Sequence, residues 1–355
     1  MLGTAGAVVF VLSCLLVPHG LRDSSLYSDV HVYSTYAAKM ADGQVPYHDF
    51  FDEYPPLAQP VFLLARVAGA AHYALAFKAL MALFGLGALA CAVVTLRALR
   101  ASTARSVAAV AVIAASPLLV GPIFLNAYDL WPAFLLSAAL MLLVLDRPLL
   151  AFAVLGAAGA AKVYPVAVLP IGLLYLEQRL RRSALLSFAG VVVLAHLPFA
   201  LLGPGGLRES YWLQAKRGLE LNSLGGAFLL AFGDPKLGNE PPGSLNVLGG
   251  AADAIAVVSS LLVVGAIVAA CVAFNKVFSA QYVDWLVPLA PLAGIGASAA
   301  TLVVLALTRS VFSHHGGIEA GTDAVWLLLV RDSCVVVLTV LLLVTVTGHR
   351  NVKSS

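Results

Sequence analysis

The chain has 355 residues, of which 61% are hydrophobic and 11% charged, with a mean hydropathy of +0.95 and a formal net charge of +3. A soluble domain runs near a quarter charged and about half apolar, and a soluble core of this length could not bury such an excess. Lipid can absorb it, because the bilayer is the solvent for the outer faces of the helices. The small net charge, and the absence of a basic run longer than the Arg179, Arg181 and Arg182 cluster, exclude a protein that tracks nucleic-acid phosphates.

A spanning helix needs about 20 mostly apolar residues. The first apolar segment, 2–17, has the length of a signal peptide but no basic leader and no small-residue cleavage pattern, so it is expected to be a retained first membrane helix. Further long apolar stretches follow at 74–96, 107–125, 131–145, 184–202, 251–274 and 325–346, with shorter runs at 149–161, 163–176, 283–295 and 299–312. Cys14, Cys91, Cys271 and Cys334 all lie in apolar stretches, and none is spaced like a metal site or a disulfide framework. No repeat of fixed period is visible.

Lys and Arg in short loops mark the cytoplasmic side. Arg97, Arg100 and Arg105 mark one such turn, Arg147 a second, Arg179, Arg181 and Arg182 a third, and Arg350 and Lys353 close the chain. The long polar loops at about 19–60 and 203–244 are then external, and the carboxylates gather there: Asp23, Asp29, Asp42, Asp49, Asp52 and Glu53 in the first, Glu209, Glu220, Asp234 and Glu240 in the second. Between two cytoplasmic marks, residues 148–178 give only about 46 Å of helix at 1.5 Å per residue. Two short helices are therefore expected, meeting at Lys162-Val163-Tyr164-Pro165, where Pro165 breaks the helix. Between Asn222 and Trp285 one clear crossing is visible where the charge marks ask for two. The composition points to a single integral membrane domain over 1–355, an all-α polytopic bundle of about 10–12 membrane helices.

In the first loop, residues 29–40 have helical composition, and Asp29, Val32, Tyr33 and Tyr36 share one face. Asp29 opens that helix. It fits two roles: an N-cap, favoured by the free amides and the helix dipole, or a general base at the membrane surface flanked by His31 and aromatic rings. The spacing alone does not separate them. Tyr54-Pro55-Pro56 reads as a rigid turn. Asn126, Tyr128 and Asp129 sit at an external helix end, Lys162 at the corner, and Arg309 and Arg331 inside apolar stretches. Ionisable groups there are costly and are functional candidates, with interfacial snorkelling as the plain alternative.

Several segments, taken together, resemble glycosyltransferase family 87, the polyprenol-phosphate-sugar-dependent membrane transferases of GT-C architecture that include α-mannosyltransferases. They are Asp29-Val30-His31-Val32-Tyr33, Gly43-x-x-Pro46-Tyr47 and Glu53-Tyr54-Pro55-Pro56 in the first loop, then Tyr128-Asp129-Leu130-Trp131-Pro132 and Lys162-Val163-Tyr164-Pro165. Gln214-x-x-Arg217-Gly218-Leu219-Glu220 follows in the second loop, and Lys276-Val277-Phe278-Ser279-Ala280-Gln281-Tyr282-x-x-Trp285 comes near the C-terminus. The chain departs from the family in carrying Ala280 where Pro is usual, and it is short between 244 and 276.

The resemblance implies a mannose-type sugar moved from a polyprenyl-phosphate donor to a glycan or glycolipid acceptor, with inversion, on the extracytoplasmic face of the cell membrane. It makes Asp29 the base and His31, Tyr33, Tyr47, Glu53, Tyr54, Asp129, Lys162, Arg217, Lys276 and Gln281 the substrate-binding set. Among these, Lys162, Arg217 and Lys276, with His31, are the donors available to a leaving phosphate. No cofactor is implied, since the lipid-linked sugar is itself a substrate, and no glycine-rich phosphate loop is present. A transporter would also use charges at membrane depth and broken helices, and a catalytically silent binder of lipid-linked sugar would share the motifs. The absence of an inverted repeat and the one-sided polar loops speak for the transferase.

Overall fold

The computed structural model describes residues 2–20, 28–239, 245–264, 280–313 and 325–353. The elements are α1 (Leu2–Gly20), α2 (Val30–Ala41), α3 (Gln59–Arg66), α4 (Tyr73–Ala98), α5 (Thr103–Val120), α6 (Ile123–Asn126), α7 (Leu130–Val144), α8 (Pro148–Ala161), α9 (Leu169–Tyr175), α10 (Gln178–Leu202) and α11 (Pro204–Lys216). Strand β1 (Leu219–Glu220), α12 (Leu224–Phe232), β2 (Lys236–Gly238), β3 (Asn246–Leu248) and α13 (Gly250–Val264) follow. Helices α14 (Ile295–Ser313) and α15 (Val325–Lys353) complete the described chain. The protein is an all-α polytopic membrane protein. Among the described residues, four helical stretches are long and apolar enough to cross a bilayer, namely Ala70–Ala98, Thr103–Val120, Gln178–Leu202 and Val325–Leu342, and shorter apolar helices accompany them.

The helices pack in sequence: α1 lies on α4 and α5, α4 on α7, α7 on α8, α8 on α10, and α14 on both α5 and α15. Gly156 sets the α8–α10 distance, because a Cβ there would lie 2.5 Å from the Phe188 carbonyl oxygen. The opposite face of α10 leaves Leu186, Val193, Leu194 and Leu201 exposed, a stripe that lipid would cover. Short turns reverse the chain at Leu99–Ser102, Leu145–Arg147 and Leu176–Glu177. Arg97, Arg105, Arg147 and Arg179 therefore collect at one end of the bundle, with Tyr73, Asp129, Lys162 and Gly203 at the other.

The break at residue 162 has the expected form. Helix α8 ends at Ala161, Lys162 is extended with φ −157° and ψ 146°, and a 3-10 turn over Tyr164–Val168 leads into α9. The apolar run 283–295 is not an α-helix. It folds as 3-10 turns at Ala280–Trp285 and Ala290–Ala293, since Pro288 and Pro291 lack the N–H that an α-helical ladder would need.

The second polar loop is more ordered than a loop. It holds α11, α12 and a small antiparallel sheet of order β1-β3-β2, in register Leu219↔Val247 and Leu237↔Val247. Strand β3 pairs with β1, and Trp285 bonds to Asp129, so residues 248 and 285 lie at the same end of the bundle. The second crossing that the charge marks ask for would fall largely on residues 265–279, outside the described residues. Cys14 and Cys91 are buried and free, Cys334 is half-buried and free, and Cys271 lies outside the described residues.

Candidate active site

The first loop is folded into the main core. Val30, Tyr33 and Ala37 on α2 are buried there with Ala58, Val61 and Phe62. Tyr33 stacks on Phe62 at 4.4 Å and 8°, and meets the edges of Tyr54 at 5.4 Å and Tyr128 at 5.9 Å. Tyr54 and Tyr128 meet edge to face at 5.2 Å. Each such pair adds about 0.5–1.5 kcal/mol beyond its buried area, so this cage holds the start of α2 firmly.

Asp29 occupies the N-cap position, yet its carboxylate makes no capping bond. The backbone carbonyl of Asp29 accepts from the amides of Val32 and Tyr33 at 2.9 and 3.1 Å, while its Oδ2 accepts from the Tyr33 hydroxyl at 3.3 Å, a long contact for this bond type. The carboxylate is half-buried, and burial together with the Asp129 charge pushes its pKa up, with Lys162, Tyr33 and His31 acting against the rise. A carboxylate that spends no hydrogen bond on the helix end, and whose proton affinity is raised, has the properties of a general base.

Lys162 and Asp129 form the second part of the site. The ammonium donates to Asp129 Oδ1 at 2.5 Å, and the Trp285 indole N–H donates to the same oxygen at 2.6 Å. The Asp129 side chain is fully buried and that of Lys162 is 16% exposed. The ammonium also lies 4.7 Å from the Tyr128 ring centroid and 5.3 Å from that of Trp285, and Trp285 stacks on Tyr164 at 3.7 Å and 3°. The helix break makes this possible: α8 stops, Lys162 turns inward, and Tyr164 supports the ring across it.

The second loop reaches the site through Gln214 and Arg217. Gln214 Nε2 donates to the Glu53 carbonyl at 3.4 Å, and Arg217 Nη1 donates to Gln214 Oε1 at 3.3 Å. Burial raises the Glu53 pKa, and Arg217 is the strongest influence holding it down. Glu220 is also buried with a raised pKa, opposed by Arg217, Asn222 and Arg331. Fully buried Arg331 on α15 donates to Asp332 Oδ1 at 2.8 Å from Nε and to the Asn222 carbonyl at 2.5 Å from Nη2. Arg309 instead donates to the Leu118 carbonyl at 2.5 Å on an exposed face.

Asp29, Tyr33, Glu53, Tyr54, Asp129, Lys162 and Arg217 thus form one connected group. His31 sits at its margin, exposed, with Nδ1 donating to the Ser28 carbonyl at 3.2 Å. Tyr47 is engaged elsewhere. It is 3% exposed at φ 66°, its hydroxyl donates to the Tyr54 carbonyl, and its ring meets Phe199 edge-on at 5.1 Å. Its backbone fits against Gly203 and Gly206, where any Cβ would collide with it, so Tyr47 ties the first loop to the α10–α11 junction. Lys276 lies outside the described residues, and of Gln281 only the backbone, within the Ala280–Trp285 turn, is described.

Three residues not singled out from the sequence belong here. Trp285 and Tyr164 are named positions of the motifs with no role assigned to them, and Asp284, fully buried, falls on an unspecified position of its motif. Asp52 is also fully buried, accepts from the Tyr54 amide at 2.9 Å, and is pushed by burial up to about 7. Among the described residues no group of three or more His, Cys, Asp or Glu side chains is arranged to hold a metal ion.

The sequence model of glycosyltransferase family 87 matches residues 51–230, just over half of the chain. This stretch includes Glu53, Tyr54, Asp129, Lys162 and Arg217, and begins shortly after Asp29 and Tyr33. No curated protein and no solved structure matches the chain. The family match over these site residues, on an apolar helical scaffold, means that the chain belongs to glycosyltransferase family 87 and is a membrane glycosyltransferase.

Proposed function

We propose that the protein moves a sugar, mannose by its resemblance, from a polyprenyl-phosphate donor to a hydroxyl of a glycan or glycolipid on the extracytoplasmic face of the cell membrane. One observation carries this reading: the uncapped, half-buried Asp29 carboxylate, braced by Tyr33, shares its field with Lys162. Asp29 takes the proton of the acceptor hydroxyl as that oxygen attacks the anomeric carbon. The bond from that carbon to the phosphate oxygen breaks, and polyprenyl phosphate leaves with its new charge. A single displacement inverts the anomeric centre.

The leaving phosphate needs cationic donors. Lys162 and Arg217 serve it, with His31 and Lys276 as further donors. An ammonium has three donors, so Lys162 keeps its bond to Asp129 while it turns another proton to the phosphate. The orientation is supported by the basic turns at the far end of the bundle, which the positive-inside tendency keeps in the cytoplasm. The GT-C architecture fits the same arrangement.

The test uses purified protein and a panel of polyprenyl-phosphate sugars, with wild type and Asp29→Asn compared on the sugar that the wild type transfers. Asparagine caps a helix about as well as aspartate but cannot take a proton. The variant should fold with an unchanged Tm and turn over at least about 100-fold more slowly. Near-normal turnover would remove Asp29 from the chemistry.

A further inference from the structure

Four buried side-chain oxygens close to the Lys162 corner have no hydrogen-bond partner among the described residues: Asp129 Oδ2, both oxygens of Asp284, and the Tyr164 hydroxyl. Asp129 and Asp284 are fully buried and Tyr164 is 9% exposed. They come from three separate elements: the start of α7, the corner after α8, and the Ala280–Trp285 turn. Trp285 fastens these elements together, bonded to Asp129 on one side and stacked on Tyr164 on the other. Asp284 is its chain neighbour and feels the charges of both Asp129 and Lys162.

A buried polar group without a partner costs about 1–3 kcal/mol, and a carboxylate more. Elsewhere the cost is met in part, as where Asp332 Oδ1 accepts from Arg331 while its Oδ2 stays open among the described residues; at the Lys162 corner four open oxygens from three elements gather. An ionised carboxylate only accepts, while the Tyr164 hydroxyl also donates, so the group that suits this corner both donates and accepts, as a hydroxyl does. A phosphate is an acceptor and an anion, and would be repelled. A second cation would crowd the ammonium already 2.5 Å from Asp129. A ligand bearing hydroxyl groups satisfies all four oxygens.

We propose that Asp284, Tyr164 and the open oxygen of Asp129 form a subsite that reads the hydroxyl groups of the donor's sugar, beside the Lys162 ammonium that holds its phosphate. This rests on the transferase reading above. Asp284 is then a specificity determinant of the reaction, and Tyr164 its partner from the opposite element.

The experiment measures binding by purified wild type, Asp284→Leu, Asp284→Asn and Tyr164→Phe. The probes are undecaprenyl phosphate and a panel of undecaprenyl-phosphate hexoses and pentoses. Because the Asp284 carboxylate bonds no described residue, Asp284→Leu should keep or raise the Tm. Both Asp284 variants should bind the preferred sugar-bearing lipid about 10- to 100-fold more weakly, as expected for lost bonds to a charged group. Their affinity for bare undecaprenyl phosphate should stay the same or tighten. Tyr164→Phe should give a smaller loss in the same direction. Equal losses for both lipids, no loss for either, or unfolding of the Leu variant would overturn the subsite. A wild type that binds bare and sugar-bearing lipid alike would overturn it while leaving the lipid-phosphate reading intact. A wild type that binds neither lipid would sink the transferase reading, and the subsite with it.

Discussion

The two polar loops meet over one site but are built differently. The first, from Ser28 to Ala58, is part of the main hydrophobic core, with Val30, Tyr33, Ala37 and Ala58 buried among the membrane helices. The second rests on small cores of its own: Leu219, Val247 and Ala252 form one, and Leu221 and Ala227 form another with Val311, Val325 and Leu328. It is joined to the rest by the packing of α12 on α15 and by polar bonds, chiefly Arg331 to the Asn222 carbonyl and Gln214 to the Glu53 carbonyl. The difference separates two tasks. The loop that carries Asp29 is built into the main core, whereas the loop that carries Arg217 packs on α14 and α15 through a separate small core and is latched by Arg331.

The largest effect should come from the side of the site that belongs to the core. Lys162→Ala leaves Asp129 buried with, among the described residues, only the Trp285 donor, and breaking a buried pair in this way costs about 3–5 kcal/mol. Thermal unfolding in detergent should show a global drop. Lys162→Met with Asp129→Leu should recover much of it, because no buried charge remains. If the single variant unfolds as the wild type does, the corner is not part of the core.

The latch predicts a smaller and local effect. Arg331→Met with Asp332→Leu removes both charges and the bond to the Asn222 carbonyl, a loss of about 1.5–3 kcal/mol for a hydrogen bond from a charged group. Amide hydrogen exchange should rise around 219–223 and 246–248 and stay unchanged over 30–41. Uniform acceleration across the chain would contradict the division between the loops.

Within the first loop, Tyr33→Phe removes the hydroxyl that holds the Asp29 pKa down. Without it the carboxylate keeps its proton to higher pH. The acid limb of kcat/KM, already above the ordinary carboxylate range, should move up further, with a loss at neutral pH of about 10-fold or less. An unmoved acid limb would mean that Asp29 does not set it.

The last effect concerns the pH response of Asp52. Burial raises it from 3.8 to about 7, so its neutral form favours the fold. That stabilisation is complete below the ordinary pKa and is lost as pH rises through about 7, and every tenfold difference in proton affinity between the folded and unfolded chain is worth about 1.4 kcal/mol. Asp52→Asn is neutral at every pH, keeps an oxygen for the Tyr54 amide, and adds a donor for the Gln59 Oε1, which has no partner among the described residues. Its Tm should match wild type at pH 4 and exceed it at pH 8. Equal Tm differences at both pH values would place Asp52 among ordinary carboxylates.

Hydropathy and local breakers decided much of this protein at the level of sequence. The apolar stretches made it a polytopic helical membrane protein, the Lys and Arg turns gave the helices their alternation, and Pro165 ended α8 beside Lys162. Each of these depends on residues close together in the chain, and a bilayer leaves little freedom in how an apolar stretch satisfies its backbone. Asp29 was identifiable as a candidate by motif, but its two roles could not be told apart, because a cap and a base occupy the same position. The tertiary structure decided that its carboxylate leaves the helix end uncapped. It also decided that Lys162 pairs with Asp129, that Trp285 completes this pair from 156 residues away, and that Asp284 is buried with its oxygens open. Such contacts depend on which helices pack together and on where a 3-10 turn replaces a helix. Neither is set by the periodicity of any single segment.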